Sequence, residues 1–169
     1  MRRLHVSILF ALLLVCAVSA FAQSTPARVC VAAIETRDPN VSPNATRDAL
    51  IKFLSKQKGL QAEEVALDTS DSAAAMTQAK DKKCDYVVDT TVTEVHSDSG
   101  YTGGLAGGFN LQNFFVTVNY KLNKVSDGTE QASGSLKASD RGSPQNAVIA
   151  TTKKIAEKVA ESIKSGAGK

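Results

Sequence analysis

The sequence predicts an α/β domain built on a mixed five-stranded sheet, with the element order β-α-β-α-β-β-β-α. In the first half, short apolar runs alternate with segments of helical periodicity, which is typical of parallel strands joined by right-handed crossovers. In the second half, three segments rich in β-branched residues follow one another. They indicate an antiparallel meander, and a C-terminal amphipathic helix closes the fold. We expect the sheet order 2-1-3-4-5, with the first strand inside.

The chain begins with the pattern of a secretory signal peptide over residues 1–22. Two arginines precede an apolar run, and an Ala-Phe-Ala triplet stands before the expected cleavage point. We therefore expect an exported protein of the periplasm or outer membrane, without a transmembrane segment after cleavage. Residues 23–165 form one α/β domain in this interpretation, and residues 166–169 form a frayed tail. We do not expect lipidation at Cys16, because Val15 stands where a lipidation site has a small residue.

Composition excludes nucleic acid as a partner. The chain has 17 acidic and 20 basic residues, and two of the basic ones lie in the leader, so the exported part carries 18 − 17 = +1. This is no electrostatic footprint for nucleic acid. Two cysteines remain after the leader, Cys30 and Cys84. Export favours a disulfide between them, and two buried free thiols are the alternative that spacing cannot exclude.

The first strand is predicted over Arg28–Ile34, an almost wholly apolar run that indicates burial on both faces. Ser42 followed by Pro43 is typical of a helix start, because serine caps the free amides and proline suits the first turn. Gly59 is the predicted end of this helix.

A brief second strand is predicted over Glu63–Leu67. The second helix follows over Ala73–Lys82, where alanines are strong helix formers, and either Asp71 or Ser72 can cap it.

Strict alternation marks the second half. The third strand is predicted over Cys84–Val95, the fourth over Asn113–Val125 and the fifth over Glu130–Ser139. The last two place apolar residues on one face and polar residues on the other, which indicates one face in water. Asp127-Gly128 predicts the turn between them. The final helix is predicted over Ser143–Ser165, with one apolar stripe.

Five of the twelve residues in Ser99–Asn110 are glycine, and we predict a loop over Ser97–Leu111. A phosphate-binding loop lies between a strand and a helix, whereas this one lies between two strands. The main interpretation is a flexible connector. A narrower one is that its apolar side chains order against a partner, a lipid face or a second copy. The candidate partner-binding residues are Tyr101, Leu105, Phe109 and Leu111.

No catalytic, cofactor or metal site is predicted. His96 is the only histidine after the leader, at the expected end of the third strand, and no GxSxG nucleophile motif accompanies it. Asp85 and Asp89 project to one side of that strand, but roughly 13 Å apart, farther than glycosidase carboxylates. We therefore expect no enzyme. The alternative is a small periplasmic hydrolase or ligand-binding protein with a cleft near His96 and Asp98.

The segments "KKCDYVVDTTVTEV", "ARVCVAAIETRDPNVSPNATRDALIKFLSK" and "VNYKLNKVSDGTEQASGSLKASD" resemble those of the CsgG-like and TolB amino-terminal-like envelope domains. So does the closing helix "AVIATTKKIAEKVAESI", and the resemblance covers about residues 27–163. It implies a domain of the bacterial periplasm or outer membrane that acts by protein–protein contact. We do not carry over the channel formed by some members, because the glycine loop lacks their sustained alternation. The resulting hypothesis is a non-enzymatic binding or assembly module, with envelope proteins of unknown identity or its own copies as partners and no cofactor.

Overall fold

The structure is a computed structural model that describes residues 26–58, 60, 65–102 and 109–166; at 65, 99–102 and 109–111 it describes the backbone only. The leader, Cys16 and the end of the tail lie outside these residues. The described elements are β1 (Val29–Val31), β2 (Glu35–Thr36), α1 (Pro43–Leu54), β3 (Val65–Ala66), α2 (Ser72–Asp81), β4 (Tyr86–Thr102), β5 (Phe109–Lys124), β6 (Glu130–Asp140) and α3 (Pro144–Gly166).

The mixed sheet and its strand order are confirmed. The strands lie in the order β3-β1-β4-β5-β6, which is the predicted 2-1-3-4-5. β1 runs parallel to both β3 and β4, whereas β4, β5 and β6 form the antiparallel meander. The short β2 was not predicted, because the Asp-Pro-Asn that follows it dominates the local pattern. It continues the line of β1 and pairs with β4, with Glu35 opposite Thr91.

Local sequence chemistry explains where the first two helices begin. Ser42 caps α1, since its side chain accepts a hydrogen bond from the amide of Ala45, and Pro43 is the first helical residue. Asp71, rather than Ser72, caps α2 by accepting from the amide of Ala74. The predicted end of α1 at Gly59 is wrong, because the helix already ends at Leu54.

Two apolar clusters lie on opposite faces of the sheet. The larger joins α1 and α3 to one face, with Val88, Val118 and Ile155 fully buried. The smaller joins α2 to the other face, at the end formed by β3, β1 and the start of β4. α2 is short, so it leaves the rest of its face uncovered.

Cys30 and Cys84 form a disulfide that joins β1 to the segment entering β4, with 5.9 Å between their Cα atoms. Both are buried in the smaller cluster. The structure thus selects the disulfide over the free thiols.

The predicted glycine loop over Ser97–Leu111 is wrong in extent. β4 continues to Thr102 and β5 starts at Phe109, and these two residues lie opposite each other in the ladder. Glycine lowers strand propensity by removing a side chain, but it keeps the amide and carbonyl that form the ladder. Backbone pairing with β5 therefore extends the hairpin through Ser99 and Gly100.

Candidate binding face

The main candidate site is the sheet face opposite α1 and α3, over β4, β5 and β6, which we call the open face. No helix of the described residues covers it beyond the region under α2. As predicted, it carries the polar half of each alternating strand. Its exposed or half-exposed members are Glu94, His96, Asp98, Thr117, Asn119, Lys121, Ser133, Ser135, Lys137 and Ser139.

A β-bulge at Thr93 sets which residues of β4 reach this face. Val92 lies opposite Val118, but the next paired residue is Glu94, opposite Thr117. The extra residue keeps Val95 on the helix side of the sheet, since a bulge places two residues opposite one. The hydroxyl of Thr93 donates to the carbonyl of Thr117, at 3.2 Å.

His96 lies within β4 and not at a strand end, on the part of β4 that no described strand flanks on its outer side. Its ring stacks on that of Phe115, with centroids 5.1 Å apart and planes 12° apart. Nδ1 is 3.7 Å from Oε1 of Glu94, and half of the His96 side chain is exposed. The other oxygen of Glu94 accepts from the Thr117 hydroxyl at 2.9 Å. His96 and Lys137 line a shallow groove of about 600 Å³ that also reaches Ala150 and Lys154 of α3, so it is not confined to the open face.

The surroundings of His96 bear on the alternative of a small hydrolase with a cleft near this residue. The alternative required a nucleophile beside His96, but no described hydroxyl hydrogen-bonds to its ring. The ring instead stacks on that of Phe115, and the two form a small aromatic patch within a polar surface. Such a patch suits contact with another macromolecule, because it offers apolar area with polar groups around it.

Asp89 is the most unusual carboxylate of the open face, and sequence analysis gave it no special role. It lies where α2 begins, half-buried, and Oδ2 accepts from the amide of Asn123 at 3.0 Å and from the hydroxyl of Ser72 at 3.4 Å. Burial raises its pKa above the ordinary value, and these hydrogen bonds and Lys121 act against the rise. Nothing in the local sequence signals this burial, which depends on how α2 crosses the sheet.

Asp85, the other carboxylate considered from sequence, makes different contacts from Asp89. One of its oxygens accepts the backbone amide of Arg28, at 2.7 Å, and so ties β1 to the entry of β4. Asp89 instead borders a groove of about 480 Å³ with Ser70, Asn119 and Lys121. The two do not form an acid/base pair.

The structure brings only part of the predicted partner-binding set together. Tyr101 lies in β4 opposite Asn110, and Phe109 lies in β5 opposite Thr102. Leu111 is paired with Gly100, whereas Leu105 lies outside the described residues. Their role in partner binding stays a prediction.

Among the described strands, β3, the distal part of β4 and β6 each have one edge without a partner strand. On the side away from β5, β4 pairs first with β1 and then with β2, as far as Val92. After Val92, no described strand pairs with this side of β4. A groove of about 460 Å³ opens there, lined by Glu35, Arg37, Asp38 and Glu94. At the opposite side of the sheet, β6 pairs with β5 alone among the described strands.

The described residues contain no group of three or more potential metal ligands. Within the same residues, no helix combines the length and the apolar composition that a membrane crossing requires.

No family model matches the chain, and no curated protein matches it either. Solved structures do. Protein XCC0632 from Xanthomonas campestris, assigned to DUF330, is 12% identical with a TM-score of 0.61, over 86% of this chain and 90% of that one. Protein CT253 from Chlamydia trachomatis is 9% identical with a TM-score of 0.54, over 82% and 99%.

A third similar structure is the PelC dodecamer from Paraburkholderia phytofirmans. It is 18% identical with a TM-score of 0.53, over 77% of this chain and 86% of that one. The likeness to all three is one of fold. The resemblance to CsgG-like and TolB amino-terminal-like domains is a separate observation on sequence patterns and stays a prediction.

Proposed function

We propose that this chain is an exported, non-enzymatic binding and assembly module of the bacterial cell envelope that acts by protein–protein contact. The observation that carries the proposal is the open face, a broad polar surface that includes the stacked rings of His96 and Phe115. Protein interfaces are enriched in aromatic residues and bordered by polar ones.

Three further observations support the proposal. The first 22 residues have the pattern of an export signal. The sequence resembles envelope domains that act by contact. A protein of the same fold, PelC, forms a dodecamer, which makes self-association a reasonable mode of action for this chain.

Site-specific crosslinking in intact envelopes tests the proposal. A photoreactive residue at Lys137, on the open face, captures a protein partner or a second copy if the proposal is right. The matched control is the same probe at Lys153, an exposed lysine of α3. Equal capture from both positions, or none from Lys137, contradicts a specific contact through the open face.

The alternative function, a hydrolase or ligand-binding protein, has one observation in its favour. The carboxylate of Glu94 lies beside His96 at the edge of a groove, as an orienting group would. His96→Ala separates the two proposals. Loss of a hydrolytic activity with the fold preserved would favour the enzyme. Loss of protein capture alone favours the binding module, because the stacked patch is removed.

A further inference from the structure

A groove of about 740 Å³, which we call the lysine groove, lies at the end of the sheet where β1 and β4 begin and β5 ends. Backbone hydrogen bonds join the three strands there. The carbonyl of Arg28 accepts the amide of Asp85, and the carbonyl of Asp85 accepts the amide of Val125, both at 2.8 Å. Lys80, in the last turn of α2, and Lys83, just after it, line the groove from the helix side. The groove is therefore built by strands and a helix together.

The lining of the lysine groove concentrates positive charge. Its charged residues are Arg28, Lys80, Lys83, Lys124 and Asp85, which give 4 − 1 = +3. The exported chain carries +1 in total, so all its other residues sum to 1 − 3 = −2. The three lysines are exposed, and none of them forms an ion pair with a described residue.

Neighbouring charges reduce this excess only in part. Asp81 and Lys82 stand between the two lysines of the α2 end. Asp127 lies near Lys124, since the hydrogen bonds from Thr129 and, to a smaller extent, the charge of Lys124 lower its pKa. With Asp81, Lys82 and Asp127 included, the local balance is 3 + 1 − 2 = +2. The groove thus remains positive and suits an anionic ligand.

Lys83 has a backbone conformation that lysine rarely adopts. Its φ is 56°, and among the described residues it is the only one besides glycine with a positive φ. It ends α2 in a Schellman motif: its amide donates to the carbonyl of Lys80 at 3.0 Å, and the amide of Cys84 donates to the carbonyl of Ala79 at 2.9 Å. Glycine is the preferred residue at this position, because a Cβ is unfavourable at positive φ.

The dipole of α2 does not account for a lysine at this position. Cations stabilise the C-terminal end of a helix, but Lys80 and Lys82 already occupy the last turn and the cap of α2. A third cation in an unfavourable conformation adds little to stability. Its side chain does add to the lining of the lysine groove. Backbone strain of this kind is typical of functional positions.

We propose that the lysine groove binds a discrete ligand with two or more phosphate groups, through Lys80, Lys83 and Lys124. The ammonium group of lysine is a point charge with three donors, so it meets phosphate oxygens from several directions. The volume lies in the range of small-molecule sites and exceeds what one inorganic phosphate fills. A concave site favours such a ligand over a flat membrane surface. The groove shares no residue with the open face, so this inference goes beyond the proposed contact function.

Isothermal titration calorimetry with inorganic tripolyphosphate tests the site on the exported chain. We expect one saturable site, and we expect Lys83→Gln and Lys124→Gln each to raise the dissociation constant about fivefold, since each removes one charge–charge contact. Lys83→Arg, which keeps the charge, should bind like wild type. The matched control is Lys153→Gln, an exposed position of α3. No saturable binding, or equal weakening by the control, overturns the proposal.

Lys83→Gly distinguishes a binding role from a structural one. Glycine adopts a φ of 56° without the penalty of a Cβ, so the variant should have a Tm no lower than that of wild type. It should nevertheless bind tripolyphosphate about fivefold more weakly, because the charge is lost. Unchanged binding would overturn the proposal. A lower Tm would do so too, since Lys83 would then serve the end of the helix.

Vesicles of phosphatidylcholine and phosphatidylglycerol in equal parts identify the source of the phosphate. We expect the exported chain to bind tripolyphosphate and not to sediment with these vesicles. Sedimentation that Lys83→Gln abolishes would overturn the choice of a soluble ligand in favour of a membrane surface. Crosslinking from Lys137 does not depend on this groove, so the proposed function is tested separately.

Discussion

At the scale of single residues, the surface chemistry of this protein depends on neighbours that sequence alone does not reveal. Asp85 and Asp89 have equivalent places in the strand pattern. In the structure, the first is exposed and binds the amide of Arg28, whereas the second lies under the start of α2. The difference comes from the position of a helix, which local periodicity cannot supply.

The raised pKa of Asp89 predicts a pH dependence of stability. Burial is its main cause, so the folded state holds the proton more tightly than the unfolded state, where the pKa is near 3.8. The contribution of Asp89 is full below pH 3.8 and is lost as the pH rises through the raised value. In urea unfolding, the free energy of wild type minus that of Asp89→Asn should fall between these pH values. A constant difference would contradict the assignment.

Gly134 predicts a steric effect in β6. A Cβ at this position would lie 2.9 Å from Cε1 of Tyr120, whose ring is buried in the larger cluster. We expect Gly134→Ala to lower the free energy of unfolding by about 1 to 3 kcal/mol, because the ring must move within a packed core. The matched control is Ser135→Ala, on the exposed face, which should change it by less than about 0.5 kcal/mol. Equal effects of the two changes would reject the clash.

At the scale of elements, most of the fold follows from sequence, and the departures have physical causes. The alternation of β5 and β6 predicted their apolar faces correctly, with Val118 and Leu122 inside and Lys121 and Ser135 outside. β4 was harder, because a bulge changes the phase of its alternation after Val92. The available sequence signal for the bulge was that Val92 and Val95 are three positions apart, an odd number that places both on one face only if a residue is inserted between them.

The distal part of the β4–β5 hairpin predicts a separation of stability from binding. Among the side chains that the structure describes, the larger cluster extends along these strands no farther than Val95 and Val116. Replacing residues 101–109 by a few glycines should change the free energy of unfolding by less than about 1 kcal/mol. Capture of envelope partners should be lost in the same variant. Unchanged capture would show that Tyr101 and Phe109 have no binding role.

At the scale of the whole molecule, the sheet order was predictable and the disulfide was not. The order follows from right-handed crossovers between parallel strands and from short turns between antiparallel ones. Whether two sulfurs meet depends instead on the relative position of β1 and the entry to β4. Here β1 pairs directly with β4, which brings Cys30 and Cys84 together.

The disulfide predicts a large effect on global stability. It joins residues 54 positions apart, and a loop of that length corresponds to about 4 kcal/mol in the chain-entropy model. The double change Cys30→Ala and Cys84→Ala should lower the free energy of unfolding by about this amount. Mass measurement after alkylation, without reduction, should find both thiols of the exported chain protected. Two alkylated cysteines would contradict the bond.

The extra residue at Thr93 has a consequence for how this protein can change. Between the pairs Val92–Val118 and Glu94–Thr117, β4 has one residue more than β5. Deleting Thr93 would therefore restore a continuous ladder, with Glu94 on the open face and Val95 on the helix side as they are now. The local bend of β4 would be lost, whereas each of its side chains would remain on the same face of the sheet. Deletion of this one codon during evolution would therefore change the direction of the hairpin without exchanging its buried and exposed faces.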